Sequence, residues 1–354
     1  MKIMNAAGVL ACALASMFAP QNQQANAQCL ADVNHDHFVD GSDLTAILST
    51  WGTDGGSAGG DINSDGTVNG LDLAFVLSGW GVCPGPAWAT VLEWAPDAAV
   101  VTDVTLRNAI TASGLPWRIR DNSSGIEMLL VPPGTFQMGC IMGSDSYGCY
   151  SLEQPVHTVT LTNAYYLGRY EVTQAQWQAK MGSNPSSFQG QTDSPSRPVE
   201  QVSWDTIQNF NSATGLRLPT EAEWEFACRA GRTTPFHSGP GFPNGTTNDG
   251  LAGTIAWYWS NSGGVTHAVG GKAANALGMH DMLGNVWEWQ SDWYGDYSSS
   301  AQTNPTGPGI GSTRVFRGGA WNNLTSFVRS SRRVGGTPAL TGDYLGFRVA
   351  RNPL

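Results

Sequence analysis

The sequence is poor in charged residues, and basic ones are the scarcer kind. Asp, Glu, Lys and Arg make up 13% of its 354 residues, about half of the roughly 25% that is usual. The 18 basic and 28 acidic residues give a formal net charge of −10. Nucleic acids and anionic membrane surfaces attract clustered Lys and Arg, so this balance argues against both as the main partner. Divalent cations fit the acidic excess better.

Long hydrophobic runs are also missing. The apolar run AAGVLACALASMFA after Lys2 is shorter than the roughly 18 residues that span a bilayer, and nothing later reaches that length. With the polar QNQQANA that ends at Ala27, it has the pattern of an export signal, so residues 1–27 are interpreted as a signal peptide. The mature protein is expected to be secreted, periplasmic or at the cell surface, with no membrane span. Cys12 could alternatively attach a lipid, but the apolar run continues past it.

Cysteine is sparse, and one of the six lies in the expected signal. Export permits disulfides, so Cys29 and Cys83 are interpreted as a clasp around one segment. Cys140 and Cys149 enclose a short turn-rich loop in the same way. Cys228 falls on the apolar face of a predicted helix, where a packed free thiol is expected.

Familiar catalytic motifs are absent as well. The six histidines form no metal-ligand spacing beyond His35 and His37, which lie inside a calcium-loop pattern. The glycine pairs lack the strand and helix context of a phosphate loop, and no nucleophile elbow occurs. A Ser-His-Asp arrangement assembled in space stays open.

What the sequence does contain is an internal repeat, DVNHDHFVDGSDLTAILSTWG and DINSDGTVNGLDLAFVLSGWG. In each copy, oxygen-bearing side chains occupy loop positions one, three, five, nine and twelve, and position seven supplies a backbone carbonyl, which is the EF-hand spacing for calcium. Apolar residues at helical spacing predict one amphipathic helix after each loop. One such cluster could simply form a turn, but two matching copies favour calcium. The predicted ligands are Asp32, Asn34, Asp36, Phe38, Asp40 and Asp43, then Asp61, Asn63, Asp65, Thr67, Asn69 and Asp72.

Loop one departs from the calcium pattern at position six, where His37 replaces the favoured Gly. A side chain at this sharp turn costs roughly 1 kcal/mol, so loop one is expected to be the weaker site. Asp43 and Asp72 replace the usual Glu at position twelve. A duplicated loop and single helix with Asp at position twelve resembles a type I dockerin over residues 28–83. The resemblance implies calcium-dependent folding and a cohesin-like or other extracellular protein partner, although such repeats also occur as stalk modules.

Residues 84–125 carry no functional pattern and are interpreted as a linker and lead-in. The prolines and glycine of CPGPAW mark a boundary, and VVTDVTLRNAITASG predicts a helix capped by Thr102 or Asp103 and ended by Gly114.

From Ile126 onward, EMLLVPPGTFQMG predicts a strand, a turn and a strand, and HTVTLTNAYYLGRYEVT predicts further strands. Capping boxes that begin at Thr173 and Thr220 predict two helices. Glu221 and Glu225, on the second helix, are interpreted as solvated or paired surface charges.

Seven motifs then occur in a characteristic order: VPPGTFQMG, YEVTQAQW, PVEQVSW, GLRLPTEAEWEFACRAG, ALGMHDMLGNVWEWQSDWY, RVFRGGAW and LGFRVAR. In this order they resemble the sulfatase-modifying factor family, whose founding activity is formylglycine generation. The resemblance covers residues 126–354. It implies a fold of the α+β class, like that of formylglycine-generating enzymes and C-type lectins, with limited regular structure. The small calcium module before it is expected to be all-α.

The resemblance also implies a second calcium site, in DMLGNVWEW. The family's cation is held by side chains that match Asp281 and Glu288 and by backbone carbonyls that match Gly284 and Val286, an all-oxygen set suited to a hard ion. Two carboxylates seven residues apart with a Gly-Asn turn between them could converge in this way. The alternative is a turn centred on Asn285, with the neighbouring tryptophans in the core.

The oxygen-using members of the family bind copper through two cysteines that follow the Gly-Gly pair. Here those positions hold Asn323 and Val328, and Ala320 stands where those enzymes carry serine. Neither replacement supplies the soft thiolate that Cu(I) selects. The sequence therefore predicts the scaffold of the family's site without its copper and without a catalytic residue.

The leading interpretation is accordingly a secreted calcium-binding protein that acts in binding or extracellular assembly. Its ligand surface is placed in the lectin-like cleft, at Trp321, Arg329 and Arg332, for a glycan or peptide ligand. Arg329, Arg332 and Arg333 could hold an anionic ligand in this cleft, but a packed salt-bridge network is the favoured interpretation of the three arginines. The alternative function is an enzyme of the formylglycine-generating type that acts on exported sulfatases, or one that uses another cofactor.

Overall fold

The chain is described by a computed structural model that covers residues 31–353 except 35, 57–58, 84, 144–146, 240 and 243. The expected signal peptide and Cys29, one half of the expected clasp with Cys83, lie outside the described residues. One compact unit ends at Ala87, and a second comprises Trp88–Pro353. No helix in the described part of the chain is both long and apolar enough to cross a membrane.

The first unit has one short helix after each loop of the repeat. Each helix begins in a capping box, because Asp40 and Asn69 accept hydrogen bonds from their helices while Asp43 and Asp72 bond back to them. The core under the helices is small and contains Val39, Ile47, Val68 and Val76. The module was expected to be all-α, but it also contains an antiparallel strand pair. Its elements are β1 (Phe38–Val39), α1 (Gly41–Ser49), α2 (Gly70–Gly79) and β2 (Gly81–Val82).

The second unit combines four helices with twelve strands among its described residues. Short 3-10 turns lie between them at Ser151–Glu153, Ser194–Ser196 and Asp249–Thr254. The helices are α3 (Val104–Ala112), α4 (Gln174–Met181), α5 (Trp204–Thr214) and α6 (Glu221–Arg229). The strands are β3 (Ala89–Glu93), β4 (Arg118–Asp121), β5 (Glu127–Val131), β6 (Gly134–Met138), β7 (His157–Leu161), β8 (Tyr165–Gly168), β9 (Trp287–Trp293), β10 (Gln302–Thr303), β11 (Arg314–Arg317), β12 (Arg333–Gly336), β13 (Leu345–Phe347) and β14 (Ala350–Arg351).

Three sheets organise this unit. Their strand orders are β14-β8-β5-β4-β3, β10-β7-β6 and β12-β11-β9-β13. The predicted strand, turn and strand of EMLLVPPGTFQMG are present, but the two strands belong to different sheets, so the turn moves the chain from one layer to the next. The mixture of helices and sheets agrees with the expected α+β class.

The structure divides the chain differently from the expectation for residues 84–125. Strand β3 pairs antiparallel with β4, which pairs with β5, so this segment begins the five-stranded sheet instead of leading up to it. Ile110, Trp117 and Ile119 are buried in the common core. Asp103, one of the two expected caps, is the N-cap of α3.

The local sequence signals predicted helices α4 and α6 at the positions where the structure has them. Thr173 and Thr220 each form the predicted capping box, and α4 ends at the left-handed Gly182. Helix α6 differs from the expectation in its environment. All of its residues except Glu223 are buried, so Glu221 and Glu225 are core charges and not surface charges.

Candidate functional site

The two loops of the repeat have one hydrogen-bond pattern. At position one, Asp32 and Asp61 each accept backbone N–H groups from positions five and six, at 3.1 and 2.8 Å in both loops. At position twelve, Asp43 and Asp72 accept N–H groups from positions two, three and nine. Both loops therefore fold in one way, with the same carboxylates fixed at the same positions.

Position six is where the loops differ. Gly66 has φ +88°, and His37 adopts the same left-handed region with φ +72°. A residue with a Cβ is strained in this region by about 1–2 kcal/mol. Loop one therefore carries strain that loop two lacks.

The second expected cation site contains an excess of buried carboxylates. Asp281 accepts the N–H of Gly270 at 2.6 Å through Oδ2, while its buried Oδ1 has no hydrogen-bond partner. Burial raises the pKa of Asp281 to about 6. Glu288 is already engaged, since it accepts hydrogen bonds from Arg348 Nη2 at 2.8 Å and Trp224 Nε1 at 2.7 Å.

Glu171 completes this group and was missed by the sequence analysis, which used YEVT as part of a strand and of a family motif but gave Glu171 no role. It accepts Asn285 Nδ2 at 2.7 Å and the Val286 N–H at 3.0 Å. Burial, followed by the charges of Asp281 and Glu288, raises the pKa of Glu171 well above its usual range. Arg348, with the charge of Lys272 acting on Asp281 as well, thus faces three buried carboxylates, and this excess of negative charge fits a cation beside Asp281.

The fit is incomplete for the full set of four expected ligands. The Glu288 carboxylate is committed to Arg348, and the described residues contain no cluster of three or more His, Cys, Asp or Glu side chains arranged to hold a metal ion. Asn285, with φ +59°, centres the alternative turn, and Trp287 and Trp289 are buried beside it. Of the expected side-chain ligands, Asp281 fits a cation better than Glu288 does.

Asn323 and Val328, which the resemblance implies are the positions of the copper cysteines, lie in a closely packed turn. Gly319 has φ +78°, and a Cβ there would lie 2.5 Å from Val328 Cγ1, so glycine is needed for the approach of the two segments. Val328 is fully buried. The Asn323 Oδ1 atom accepts the Ala320 N–H at 3.0 Å. An amide and an apolar side chain therefore hold this turn together.

One further thiol lies near this turn. Cys228 is buried in α6, outside any disulfide, with its Sγ 3.6 Å from Ser330 Oγ. Burial raises the pKa of the Cys228 thiol to about 12. It is therefore a packed neutral thiol, as its helical spacing predicted.

The expected ligand arginines are tied into ion pairs. Arg329 is fully buried and donates to Glu153 Oε1 at 2.7 Å. Arg332 lies 3.6 Å from the same oxygen and stacks over the ring of Tyr150. Placing Arg329 and Arg332 in a ligand cleft was therefore wrong, because Glu153 neutralises both from a distant part of the chain.

A second, larger network surrounds α6. Arg317 pairs with both Glu221 and Glu225, Arg229 pairs with Glu225 at 2.7 Å, and Arg333 pairs with Glu221 at 2.7 Å. All five side chains are nearly or completely buried. Arg317 and Arg333, which lie on either side of the Gly-Gly pair in the sequence, are therefore part of the core.

A disulfide-closed loop covers one side of the turn. Cys140 and Cys149 are bonded, as their spacing predicted. Tyr147 in this loop donates its hydroxyl to Thr325 Oγ1 at 2.6 Å. Trp321 is half-buried and packs edge to face on Phe188. Residues 321–327, which form the described part of the turn, carry no charged side chain.

Comparison with known families decides what this arrangement is. A family model described as "Sulfatase-modifying factor enzyme 1-like domain" matches residues 118–353, well over half of the chain. The chain belongs to this family. A second model, "Dockerin type I domain", matches residues 30–78. Dockerin type I domains bind calcium and dock onto cohesins, so this match supports calcium, a protein partner and an extracellular or cell-surface location.

Relatives in the sulfatase-modifying factor family have several names. Chaperone protein LppX of Paenibacillus barcinonensis is 30% identical over 253 residues, which covers 55% of this chain and 78% of that protein. The formylglycine-generating enzymes of Thermomonospora curvata and Bos taurus are 33% and 34% identical, covering 51% and 45% of this chain. The chain spans only 62% and 45% of their lengths.

Solved structures support the expected fold. Treponema denticola variable protein 1 has a TM-score of 0.57 at 32% identity, with 64% of this chain and 95% of that one covered. PvdO from Pseudomonas aeruginosa has a TM-score of 0.55 at 26% identity, with 66% and 97% covered. The family membership inferred from the seven motifs is thereby confirmed.

Proposed function

We propose that this chain is a secreted, calcium-stabilised docking and binding protein whose sulfatase-modifying factor domain lacks formylglycine-generating oxidase activity. The observation that carries the proposal is the pair Asn323 and Val328 at the positions of the copper cysteines. Cu(I) requires soft ligands such as thiolates. An amide already bonded to Ala320 and a buried valine offer none.

No other thiol can take over this role among the described residues of the second unit. Cys140 and Cys149 are joined to each other, and Cys228 is a single thiol with a raised pKa in the core. One neutral thiol does not provide the two thiolates that hold copper in the oxygen-using members. The domain is therefore proposed to bind and not to oxidise.

The binding surface is proposed to be the uncharged rim of the turn. Trp259 and Leu324 are exposed there. The backbone N–H of Trp259 donates to the backbone carbonyl of Asn323, which holds Trp259 beside this turn. Aromatic faces and amides suit a glycan or an uncharged stretch of peptide. The alternative function, an enzyme acting on exported sulfatases, is favoured only by the family membership.

Docking is proposed to use the two helices of the repeat. Leu48 and Leu77 occupy equivalent positions in the two copies, as do Trp51 and Trp80, and these four side chains are 47% to 58% exposed. Exposed apolar residues that recur at matching positions indicate a surface for a protein partner. The calcium loops immediately before the helices would hold this surface in shape.

We expect the mature chain to bind a type I cohesin domain in calcium and to release it in chelator. Replacing Trp51 and Trp80 together by Ala should weaken binding at least about tenfold, because tryptophans that become buried in an interface are typical hot spots. Calorimetric titration against a panel of cohesins measures this. Val104→Ala is the control, because Val104 is also apolar and exposed but lies on α3, outside the repeat. Binding that persists in chelator would contradict the docking proposal. The absence of binding to every cohesin of the panel would contradict it too.

A further inference from the structure

A cavity of about 310 Å³ lies in the second unit, away from the turn that carries Asn323 and Val328. It opens between the N-terminus of α6 and strands β6, β7, β9 and β12, and the segment 295–308 forms its mouth. Met138, Ala222 and Pro305 contribute apolar wall.

The positively charged side chain of the cavity wall, Arg333, is already paired with a protein carboxylate. Arg333 donates to Glu221 from Nε at 2.7 Å and from Nη2 at 2.8 Å, and its Nη1 donates to the carbonyl of Gly295 at 2.8 Å. The Tyr297 hydroxyl also donates to Glu221, at 3.0 Å. The charge of Arg333 is therefore paired with Glu221, and most of its N–H groups donate to protein acceptors.

One oxygen of a mostly buried carboxylate, in contrast, faces the cavity without a donor. Asp292 is only 3% exposed, and its Oδ2 accepts the Glu221 N–H and the Ser291 hydroxyl, each at 2.9 Å. Its Oδ1 has no hydrogen-bond donor among the described residues, although the side chain lines the cavity. This oxygen is open to the cavity, and a ligand that donates a hydrogen bond there would complete the environment of an otherwise buried carboxylate.

A second acceptor lies on the opposite wall. His157 is 4% exposed, and its Nδ1 lies 3.1 Å from the carbonyl of Pro155, to which only an N–H can donate. In the neutral ring this leaves Nε2 as an acceptor. Asp296 adds an exposed carboxylate at the mouth. The cavity therefore presents acceptors and negative charge in front of an apolar wall.

We propose that this cavity binds a small organic cation of the alkylammonium type, with Asp292 as its buried counter-ion. The ammonium group supplies the donor that Asp292 Oδ1 lacks, and the alkyl chain covers Met138, Ala222 and Pro305. A neutral polyol would leave the carboxylate charge uncompensated. A metal ion would need more ligands, and the described residues hold no cluster of three or more metal-binding side chains.

The ionisation of Asp292 makes the binding depend on pH. Burial, with the nearby charge of Glu221, raises the pKa of Asp292 to about 7. Glu223 and Arg314 are further charged groups that face it, and Arg333 and His157 line the same cavity. Asp292 gains its negative charge as pH rises from 6 to 8, and this change favours a cation.

The test is a titration of the mature chain with butylammonium, and with 1-butanol and butyrate as uncharged and anionic analogues. We expect saturable binding of butylammonium alone, at least about tenfold tighter at pH 8 than at pH 6. Amide chemical shifts should change at residues 221–222 and 292–298. Equal binding of 1-butanol, no saturation, or shifts elsewhere in the chain would overturn the proposal.

Two variants, each of which removes one negative charge, make the test specific. Asp292→Asn keeps the shape and the acceptor for Glu221 and Ser291 and should lose at least about tenfold in affinity for butylammonium, because a charged pair is replaced by a neutral one. Asp205→Asn, an exposed position on α5, should leave the affinity unchanged. Unchanged binding of butylammonium by Asp292→Asn would refute the role of Asp292 as the counter-ion. The localised shift changes of the unmodified chain remain decisive if that variant does not fold.

Discussion

Glu225→Gln should lower the free energy of unfolding by about 3 to 5 kcal/mol, the usual result of removing one partner from a buried ion pair. Glu225 is fully buried and pairs with both Arg229 and Arg317. The variant keeps the side-chain volume but leaves two buried guanidinium groups short of a counter-charge. Urea denaturation followed by tryptophan fluorescence measures the difference.

The matched control for this variant is Asp193→Asn. Asp193 pairs with Arg197 at the same spacing as Glu225 and Arg229, but its side chain is 44% exposed. Exposed pairs contribute only about 0 to 1 kcal/mol, so the control should change stability little. Equal effects of the two variants would show that the network around α6 does not stabilise the core.

The pH dependence of Glu225 has a definite sign. Burial alone would raise the pKa of Glu225, but the charges of Arg229 and Arg317 lower it on balance. Because the folded-state pKa lies below the unfolded one, the stabilisation is present at neutral pH and is lost as pH falls through the folded value. The difference between the unmodified chain and Glu225→Gln should therefore shrink in acid.

Removal of calcium should unfold the two helices of the repeat. Helices α1 and α2 have 9 and 10 residues, below the roughly 12 to 15 that hold together alone in water. They cover only a small core, and the loops before them gather carboxylates that repel one another without a cation. Hydrogen exchange of the mature chain in chelator should show lost protection in residues 41–49 and 70–79, while the second unit keeps its slow amides.

Single substitutions should rank the two loops. Asp61→Ala should reduce protection more than Asp32→Ala, because loop one is already weakened by the left-handed His37. Asp54→Ala, an exposed carboxylate outside the ligand positions, is the control. Helices that stay protected in chelator would contradict a calcium-dependent module.

The features that could be predicted from the sequence are those fixed by neighbouring residues. The capping boxes at Thr173 and Thr220, the cap at Asp103 and the helices after the repeat loops all follow from side chains within a few positions of the backbone they bond. The seven motifs, which gave the family, extended this to the fold of the second unit.

The features that could not be predicted depend on partners far along the chain. Glu221 meets Arg333 across 112 positions and Arg329 meets Glu153 across 176, so no local pattern shows whether these charges are buried. Strand β3 looked like a linker because its pairing with β4 is made through a loop and a helix. Asp292 gave no signal, since its open oxygen exists only where two sheets and α6 meet.

Mass spectrometry of a cysteine-containing sulfatase peptide is the most direct test of the central claim. The account predicts that the peptide, incubated with the mature chain, Cu(I) and oxygen, keeps its cysteine at the level of a control without protein. The double variant Asn323→Cys and Val328→Cys, assayed in parallel, shows whether the turn can still hold Cu(I). Conversion of the cysteine to formylglycine by the unmodified chain, above the control, would contradict the account and establish the enzyme alternative.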